Sequence, residues 1–171
     1  MFRHGHGNLP PGNYFEKSAF TIMIWVELLS YNRFQSIMDF GNGKASDNIM
    51  LEFKEETGLL RFYYMDENQE RVYKYSPDSI PIGVRTHIAV TYENQQIKFF
   101  TNGILKFTYL AAKPIVNKTR RSIFIGRNNF PNDKPIDAIL DELKIFDRVL
   151  SDDDIKNEMT KLQLYSNILL V

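Results

Sequence analysis

Cysteine is absent from the 171-residue sequence, and this absence excludes disulfide bonds, thiolate metal sites and a cysteine nucleophile. The fold must therefore rest on an apolar core, and a chain of this length is large enough to bury one. The absence fits the cytosol, and it also fits a secreted domain whose core suffices alone. It therefore leaves the compartment open.

An excess of charge of either sign is also lacking, because 21 Lys and Arg residues balance 21 Asp and Glu residues. A balanced charge gives no long-range attraction to phosphate backbones or anionic lipids. The one small basic cluster, formed by Lys118, Arg120 and Arg121, is interpreted as a solvated loop. We therefore expect no nucleic-acid partner.

Long apolar runs are missing as well, since none approaches the about 20 residues of a membrane helix. The apolar tail 168–171 is far too short, so no membrane insertion is expected. The segment Met1–His6 lacks the apolar stretch of a signal peptide. Either the protein is not secreted by that route, or the chain is a piece of a longer protein.

Aromatic residues are abundant, with 13 Phe, 9 Tyr and 1 Trp. They occur with Ile and Val in short runs broken by Gly, Asn, Asp and Pro, which is typical of many short strands. Two dipeptides, Asn94-Gln95 and Asn102-Gly103, predict tight hairpin turns. The predicted strands are Ala19–Leu28, Gln35–Phe40, Asn48–Phe53, Leu59–Met65, Arg71–Ser76, Thr86–Glu93, Gln96–Thr101, Ile104–Leu110, Ser122–Arg127 and Ala138–Asp147.

Alternation within these runs predicts two layers. In the run 19–28, Phe20, Ile22, Ile24, Val26 and Leu28 share one face of the strand. Such strands stack as two sheets around a core. Late in the chain, Ser-Asp-Asp-Asp from residue 151 predicts the start of a short helix. We predict an all-β, two-sheet antiparallel sandwich of jelly-roll type with one short C-terminal helix. A single domain would span residues 1–171, with its core at about 12–160.

Four groups of residues resemble a laminin-G-like domain of the concanavalin A-like lectin and glucanase superfamily. In chain order they are Gly12–Phe15 with Phe20–Val26, Ile37–Gly43 with Asp47–Ile49, His87–Tyr92 with Phe99–Gly103, and Phe124–Arg127 with Leu140–Ser151. Two features depart from the family. Arg85 stands where relatives have Trp, and the first eight residues lack the further strand, with Phe-Asp-Gly, that opens many relatives. The second departure, together with the missing signal peptide, suggests either a domain cut from a longer protein or a lineage that trimmed the domain.

The resemblance also covers glycoside hydrolases, which carry two carboxylates on one strand. The acidic pair with suitable spacing, Asp152 and Asp154, opens a helix instead. Asp137 and Asp141 are four apart, but Asp137 precedes its strand. Three further acids are assigned to a strand end and a solvated turn: Glu52, Glu55 and Glu56. We therefore predict that the protein is not an enzyme.

Asp141 is the acid that the alternation places on an apolar face, together with Leu143 and Ile145. Such a carboxylate must be ion-paired, hydrogen-bonded or ligated to a metal. The resemblance implies a structural calcium here, with Asp141 as side-chain ligand and backbone carbonyls completing the shell. The residues supplying or flanking those carbonyls would be Asn13, Gly41 and Asn42. Alternatively, Asp141 accepts backbone N–H bonds without an ion.

Four oxygen-bearing residues flank the glycines that follow the second predicted strand: Asp39, Asn42, Asp47 and Asn48. They predict a rim that binds a ligand or calcium, although turn chemistry alone also explains this composition. His4 and His6 could touch one metal, but no third ligand is evident. His87, within a strand, is interpreted as a satisfied structural residue.

Aromatic platforms are what a sugar-binding surface needs, because rings pack against the C–H faces of sugars. Candidates for such a platform are Trp25, Tyr63, Tyr64, Tyr73, Tyr75, Tyr92 and Tyr109. Of these, Trp25, Tyr73 and Tyr75 are assigned to the ligand site, and ordinary core packing is the alternative. Tyr73 and Tyr75 share a strand face with Arg71, which indicates partial exposure.

These observations favour a non-catalytic module that binds a carbohydrate or a protein. We expect it to be extracellular, within a larger protein or beside neighbouring subunits, and to hold a structural calcium. An alternative is a structural or assembly subunit whose apolar tail, Leu162–Val171, docks on neighbours. A degenerate glycoside hydrolase is the third hypothesis.

Overall fold

The computed structural model describes residues 2–3, 7–16, 19–33 and 35–166, and within these ranges the chain forms twelve strands, one 3-10 helix and one α-helix. The strands are β1 (Phe2–Arg3), β2 (Gly7–Asn8), β3 (Ala19–Leu28), β4 (Gln35–Gly41), β5 (Ile49–Lys54), β6 (Leu59–Met65), β7 (Arg71–Ser79), β8 (Thr86–Glu93), β9 (Gln96–Thr101), β10 (Ile104–Leu110), β11 (Ser122–Ile125) and β12 (Ala138–Phe146). The 3-10 helix is Glu55–Thr57, and α1 is Asp152–Ser166.

The strands form two antiparallel sheets. The first sheet has the order β1-β12-β3-β8-β9-β10, and the second has the order β2-β11-β4-β5-β6-β7. Strands β4 to β7 pair with one another in chain order in the second sheet, and β8 to β10 do so in the first. Strand β3 instead lies between β12 and β8. The predicted two-sheet sandwich with one C-terminal helix is confirmed.

The two predicted hairpin turns are confirmed by their backbone geometry. Asn94 and Gln95 have φ of 47° and 66°, and Asn102 and Gly103 have φ of 50° and 72°. Positive φ at both central positions matches the right-handed twist of the flanking strands. These turns connect β8 to β9 and β9 to β10.

The ten predicted strands are all present, with small differences at their ends. Strand β7 continues to Ser79, and β11 already ends at Ile125. The expectation that the first eight residues lack a strand is wrong, because Phe2–Arg3 pairs with β12 and Gly7–Asn8 pairs with β11. Two-residue strands are too short to show a hydrophobic period in the sequence.

The core lies between the sheets and follows the predicted alternation. Phe20, Ile22 and Ile24 of β3 are buried there, as are Val26 and Leu28. The Phe20 ring stacks on Tyr92 of β8 with 5.2 Å between ring centroids. The opposite side of β3 therefore forms part of the outer face of the first sheet.

Helix α1 packs on that outer face. Ser151 caps the helix as predicted, because its hydroxyl accepts a hydrogen bond from the Asp154 N–H at 3.1 Å. Ile155 is fully buried in a cluster with Met23 and Phe100. Side chains beyond residue 161 lie outside the described part, so docking through the tail stays a prediction. Within the described residues, no helix is long and apolar enough to cross a membrane.

Arg120 corrects the interpretation of its cluster as a solvated loop, because its side chain is almost completely buried. Its guanidinium donates to the backbone carbonyls of Asp47, Lys118 and Val116 at 2.8, 3.0 and 3.1 Å. Burial lowers the pKa of Arg120 to about 10. Arg120 thus fastens the loop that precedes β11 to the loop that follows β4.

Candidate functional site

The outer face of the second sheet carries two rows of polar and aromatic side chains. Direct cross-strand partners share a face of a sheet, so the strand register defines each row. The first row, across β4 to β7, is Ser36, Glu52, Arg61 and Tyr75. The second row is Asp39, Met50, Tyr63 and Tyr73. We call the surface formed by Glu52, Arg61, Tyr63, Tyr73 and Tyr75 the Tyr73 face.

Glu52 and Arg61 form an ion pair in the middle of the Tyr73 face. Arg61 Nε donates to Glu52 Oε1 at 2.6 Å, and Ser36 Oγ donates to the other carboxylate oxygen at 3.2 Å. The Glu52 side chain is only 2% exposed. The assignment of Glu52 to a solvated region is therefore wrong. Burial raises the pKa of Glu52, although Arg61 and Ser36 oppose this change.

Arg61 also lies among the three tyrosines of the Tyr73 face. Its guanidinium carbon is 5.7 Å from the ring centroids of Tyr63 and Tyr73, and 5.9 Å from that of Tyr75. Tyr73 and Tyr75 contact each other edge to face at 5.6 Å. These contacts hold the rings in place, since a cation near a ring face is attracted to it. Tyr73 remains 48% exposed, which confirms the partial exposure predicted for this strand face.

The loop between β11 and β12 forms a wall beside this face. The Asn129 N–H donates to Asp39 Oδ2 at 2.8 Å, and Asn128 Nδ2 donates to Ser36 Oγ at 2.9 Å. Both acceptors are fully buried on β4. Phe130 follows in the loop, and its N–H donates to Asn128 Oδ1 at 2.9 Å. The wall is thus fastened to the sheet by buried hydrogen bonds.

Sheet and wall enclose a cavity of about 320 Å³. It is lined from the sheet by Met50, Arg71 and four members of the Tyr73 face, with Phe130 and Asp133 contributed by the loop. The cavity therefore combines aromatic surface with two arginines and two carboxylates. This combination is typical of sites that bind small polar ligands.

The predicted rim residues bond mainly with one another and with neighbouring loops. Asn48 Nδ2 donates to Asp39 Oδ1 at 2.8 Å, and both side chains have no exposed surface. Asn42 Nδ2 donates to Asp47 Oδ2 at 2.9 Å, and Lys118 Nζ contacts Asp47 Oδ1 at 2.8 Å. Burial raises the pKa of Asp39 to about 6. This network agrees with the turn-chemistry alternative.

Trp25 lies on the other sheet from Tyr73 and Tyr75. It is on the outer face of the first sheet, where the Arg85 guanidinium sits 5.0 Å from its ring. His87 contacts the same ring edge to face at 5.2 Å. The three aromatic residues predicted for a sugar platform therefore belong to two separate surfaces.

The prediction that Asp141 shares a face with Leu143 and Ile145 is wrong. Asp141 pairs with Trp25, but Lys144 already pairs with Met23, so β12 has one extra residue between these partners. Such a β-bulge moves all following side chains to the opposite face. Glu142, with φ of 56°, lies within the bulge.

The residues that the resemblance assigns to calcium contact different parts of the protein: Asp141 contacts the first sheet, whereas Asn13, Gly41 and Asn42 contact the segment that leads into β11. Asp141 Oδ2 is 3.1 Å from the Arg85 guanidinium on the first sheet. Asn13 bonds Asn117, and the Gly41 carbonyl and Asn42 Oδ1 both accept from Arg121 N. The described residues contain no cluster of three or more His, Asp or Glu side chains suited to a metal. These contacts do not assemble the implied shell, and calcium binding stays a prediction.

His87 is buried as predicted for a structural residue, but its side chain is not fully hydrogen-bonded, contrary to the prediction. Within the described part of the chain its Nδ1 has no hydrogen-bond partner, although the backbone N–H donates to Asn102 Oδ1 at 2.9 Å. Burial lowers the pKa of His87 to about 4, and Lys144 adds to this effect. His4 and His6 lie outside the described residues.

Sequence reasoning did not identify most of the cavity lining. The period-two alternation that placed Tyr73 on an exposed strand face also applies to Glu52, Arg61 and Tyr63. This alternation is therefore the signal that could have placed them on the same face. Their convergence depends on which strands are neighbours. Phe130 and Asp133 lie in an irregular loop, for which no periodic signal exists.

A family model described as the concanavalin A-like lectin/glucanases superfamily matches residues 3–156 of the chain. The match therefore includes every strand of both sheets except the first residue of β1. No sequence among the curated proteins matches the chain.

Solved structures with a similar fold are low in sequence identity. Domain 4 of a GH43 extracellular arabinanase from Geobacillus stearothermophilus, in complex with arabinotriose, has a TM-score of 0.69 and 19% identity, covering 88% of this chain and 70% of its own. The CBM40 of the IT-sialidase of Ruminococcus gnavus, bound to α2,3 sialyllactose, has a TM-score of 0.68 and 18% identity, with coverage of 89% and 95%. A structure of botulinum neurotoxin type C, whose cell entry depends on two ganglioside molecules, has a TM-score of 0.64 and 19% identity. The match covers 85% of this chain and 36% of the chain in that structure.

Proposed function

Because the chain belongs to the concanavalin A-like lectin/glucanases superfamily, we propose that it is a non-catalytic module that binds a carbohydrate at the Tyr73 face. The observation that carries this proposal is the half-exposed Tyr73 ring beside the cavity of about 320 Å³. An exposed ring can stack on the C–H face of a sugar, and adjacent polar groups can bond its hydroxyls.

The stiffness of the Tyr73 face supports the same function. Arg61 contacts three tyrosine rings and is itself held by Glu52. A surface that is already ordered loses little conformational entropy when a ligand binds, which favours affinity. The loop wall is fixed by buried hydrogen bonds to Asp39 and Ser36. Sugar and sheet would therefore meet without large rearrangement.

The engaged carboxylates of the cavity support binding without catalysis. Glycoside hydrolysis requires one carboxyl group as acid and a second as base or nucleophile. Glu52 is ion-paired with Arg61, and Asp133 Oδ2 accepts a hydrogen bond from Asn128 at 2.9 Å. Both acids thus have structural partners.

The nature of the neighbouring structures supports a sugar ligand over a protein ligand. The arabinanase domain and the sialidase module contain arabinotriose and sialyllactose, and the neurotoxin depends on gangliosides. We extend this to the present chain as part of the proposal. An extracellular location, as stated for the arabinanase, belongs to the same proposal.

A glycan microarray, followed by calorimetric titration of the strongest binder, tests the proposal. We expect Tyr73→Ala to weaken binding about 10-fold, since an aromatic contact contributes about 0.5–1.5 kcal/mol beyond its buried area. Trp25→Ala is the matched control on the outer face of the first sheet, and it should leave affinity unchanged. The melting temperature of each variant shows whether it is folded.

Three outcomes would contradict the proposal. If no glycan binds to the folded protein, carbohydrate recognition is refuted. If Trp25→Ala abolishes binding and Tyr73→Ala does not, the binding surface is the outer face of the first sheet. Turnover of a bound glycan would refute the non-catalytic assignment.

A further inference from the structure

Arg71 is an exposed arginine at the start of β7, and it lines the cavity together with Tyr63 and Tyr73. In the part of the chain that the structure describes, Arg71 forms no ion pair. We propose that Arg71 binds an anionic group of the ligand, a carboxylate or a sulfate carried by the sugar. This inference rests on the proposed carbohydrate-binding function and names the class of sugar.

The charges around the cavity leave Arg71 as its available cation. Glu52 and Arg61 neutralise each other through a direct ion pair. Asp133 on the loop accepts a hydrogen bond from Asn128. Asn128 is a neutral amide and does not neutralise Asp133, so an anion would be repelled from the loop side of the cavity. It would be attracted to Arg71 on the sheet side, whereas Arg61 is already engaged. The planar guanidinium matches the two oxygens of a carboxylate or sulfate, which gives bidentate bonding.

Tyr63 supplies a second donor that lacks a strong acceptor. Its hydroxyl donates to Met65 Sδ at 3.0 Å, and a thioether sulfur is only a weak acceptor. An anionic oxygen in the cavity would be a much stronger acceptor for this hydroxyl. The positive charge of Arg71 acts on the same hydroxyl, although burial is the larger effect and raises the pKa of Tyr63. Arg71 and Tyr63 can therefore bond one anion together.

The ligand would thus meet three different surfaces of the same site. Its ring would stack on Tyr73, its anionic group would face Arg71 and Tyr63, and its remaining hydroxyls would face the loop wall. A neutral sugar could use the first and third surfaces. Only an acidic sugar uses all three, so we expect selectivity rather than an absolute requirement for charge.

The test compares neutral oligosaccharides with their uronic acid, sialylated and sulfated counterparts on one array. The best acidic ligand and its neutral counterpart are then titrated by calorimetry. We expect the acidic member to bind at least about 10-fold tighter, as estimated for a hydrogen bond to a charged group. Arg71→Gln should abolish this preference by weakening the binding of the acidic member much more than that of the neutral member. Arg121→Gln removes the same charge from an exposed residue outside the cavity lining and should keep the preference.

The results separate this inference from the proposed function. Equal binding of acidic and neutral members refutes the role of Arg71 while carbohydrate binding stands. The same holds if Arg71→Gln retains the preference, or if Arg121→Gln loses it to an equal extent. Binding of neither member at the folded protein refutes both proposals. A preference that disappears in Arg71→Gln, together with weaker binding of both members in Tyr73→Ala, supports both.

Discussion

The contribution of Asp39 to stability should be larger in mild acid than at neutral pH. The carboxyl group is fully buried on the outer face of the second sheet, and it accepts hydrogen bonds from Asn48 and from the Asn129 N–H. Burial raises its pKa from 3.8 to about 6. The folded state therefore holds a proton that the unfolded state releases in this range.

The size of the effect follows from these two pKa values. The difference corresponds to about 3 kcal/mol, since one pKa unit is about 1.4 kcal/mol. This stabilisation is fully present below the unfolded pKa of 3.8 and is lost as the pH rises through about 6. Between pH 4 and pH 7 the Asp39 contribution to the free energy of unfolding should fall by about 2 kcal/mol, because pH 4 is already close to the unfolded pKa.

Asp39→Asn isolates this contribution because asparagine has the same shape and does not titrate. Its amide can donate to Asn48 Oδ1, which has no hydrogen-bond partner within the described residues, once the Asn48 amide rotates. Its carbonyl oxygen can keep the bond from Asn129. Urea unfolding of both proteins at several pH values measures the difference. Relative to the native protein, the variant should gain about 2 kcal/mol between pH 4 and pH 7.

Glu158 provides a control of opposite sign. Hydrogen bonds from Lys161 and Lys144 lower its pKa, so its contribution is present above the unfolded pKa and is lost as the pH falls. Glu158→Gln should therefore lose more stability at neutral pH than in acid. A difference between native protein and Asp39→Asn that stays constant across the pH range would refute the reasoning. A difference of the opposite slope would do so as well.

Two further variants test the packing around the Tyr73 face. Arg61→Met should lower the free energy of unfolding at pH 7 by about 3 kcal/mol, because Glu52 is left buried without its partner. Adding Glu52→Gln should restore most of the lost stability. Equal instability of the single and double variants would contradict this explanation. Gly41→Ala should cost about 1–3 kcal/mol in urea unfolding, since the new Cβ would collide with Asn48. Gly7→Ala, which has open space around its Cβ position, is the control, and equal losses in both would refute the steric argument.

Much of the fold could be predicted because its signals are local. A period of two identifies a strand from its own residues, and Asn102-Gly103 identifies a turn from two residues. The same local reasoning located Tyr73 on an exposed strand face. The strand ends at Ser79 and Ile125 were less well predicted, since pairing with a neighbour decides where a strand stops.

The site was only partly predictable because it depends on contacts distant in sequence. Glu52 looks like a solvated acid until Arg61 is placed opposite it by the register of β5 and β6. Arg120 looks like a surface arginine until three carbonyls surround it. Asp141 was assigned to the wrong face because a bulge leaves no periodic mark in the sequence.

The bulge in β12 also sets how this strand can change in length. Before the bulge, Leu140 points into the core, and after it Leu143 and Ile145 do so as well. Deleting Glu142 would remove the extra residue, place Leu143 opposite Ile24, and leave Leu140, Leu143 and Ile145 on the core face. Deletion of Glu142 should therefore be far less damaging than deletion of a regularly paired residue such as Ile139, which would move the side chains on one side of the deletion to the opposite face.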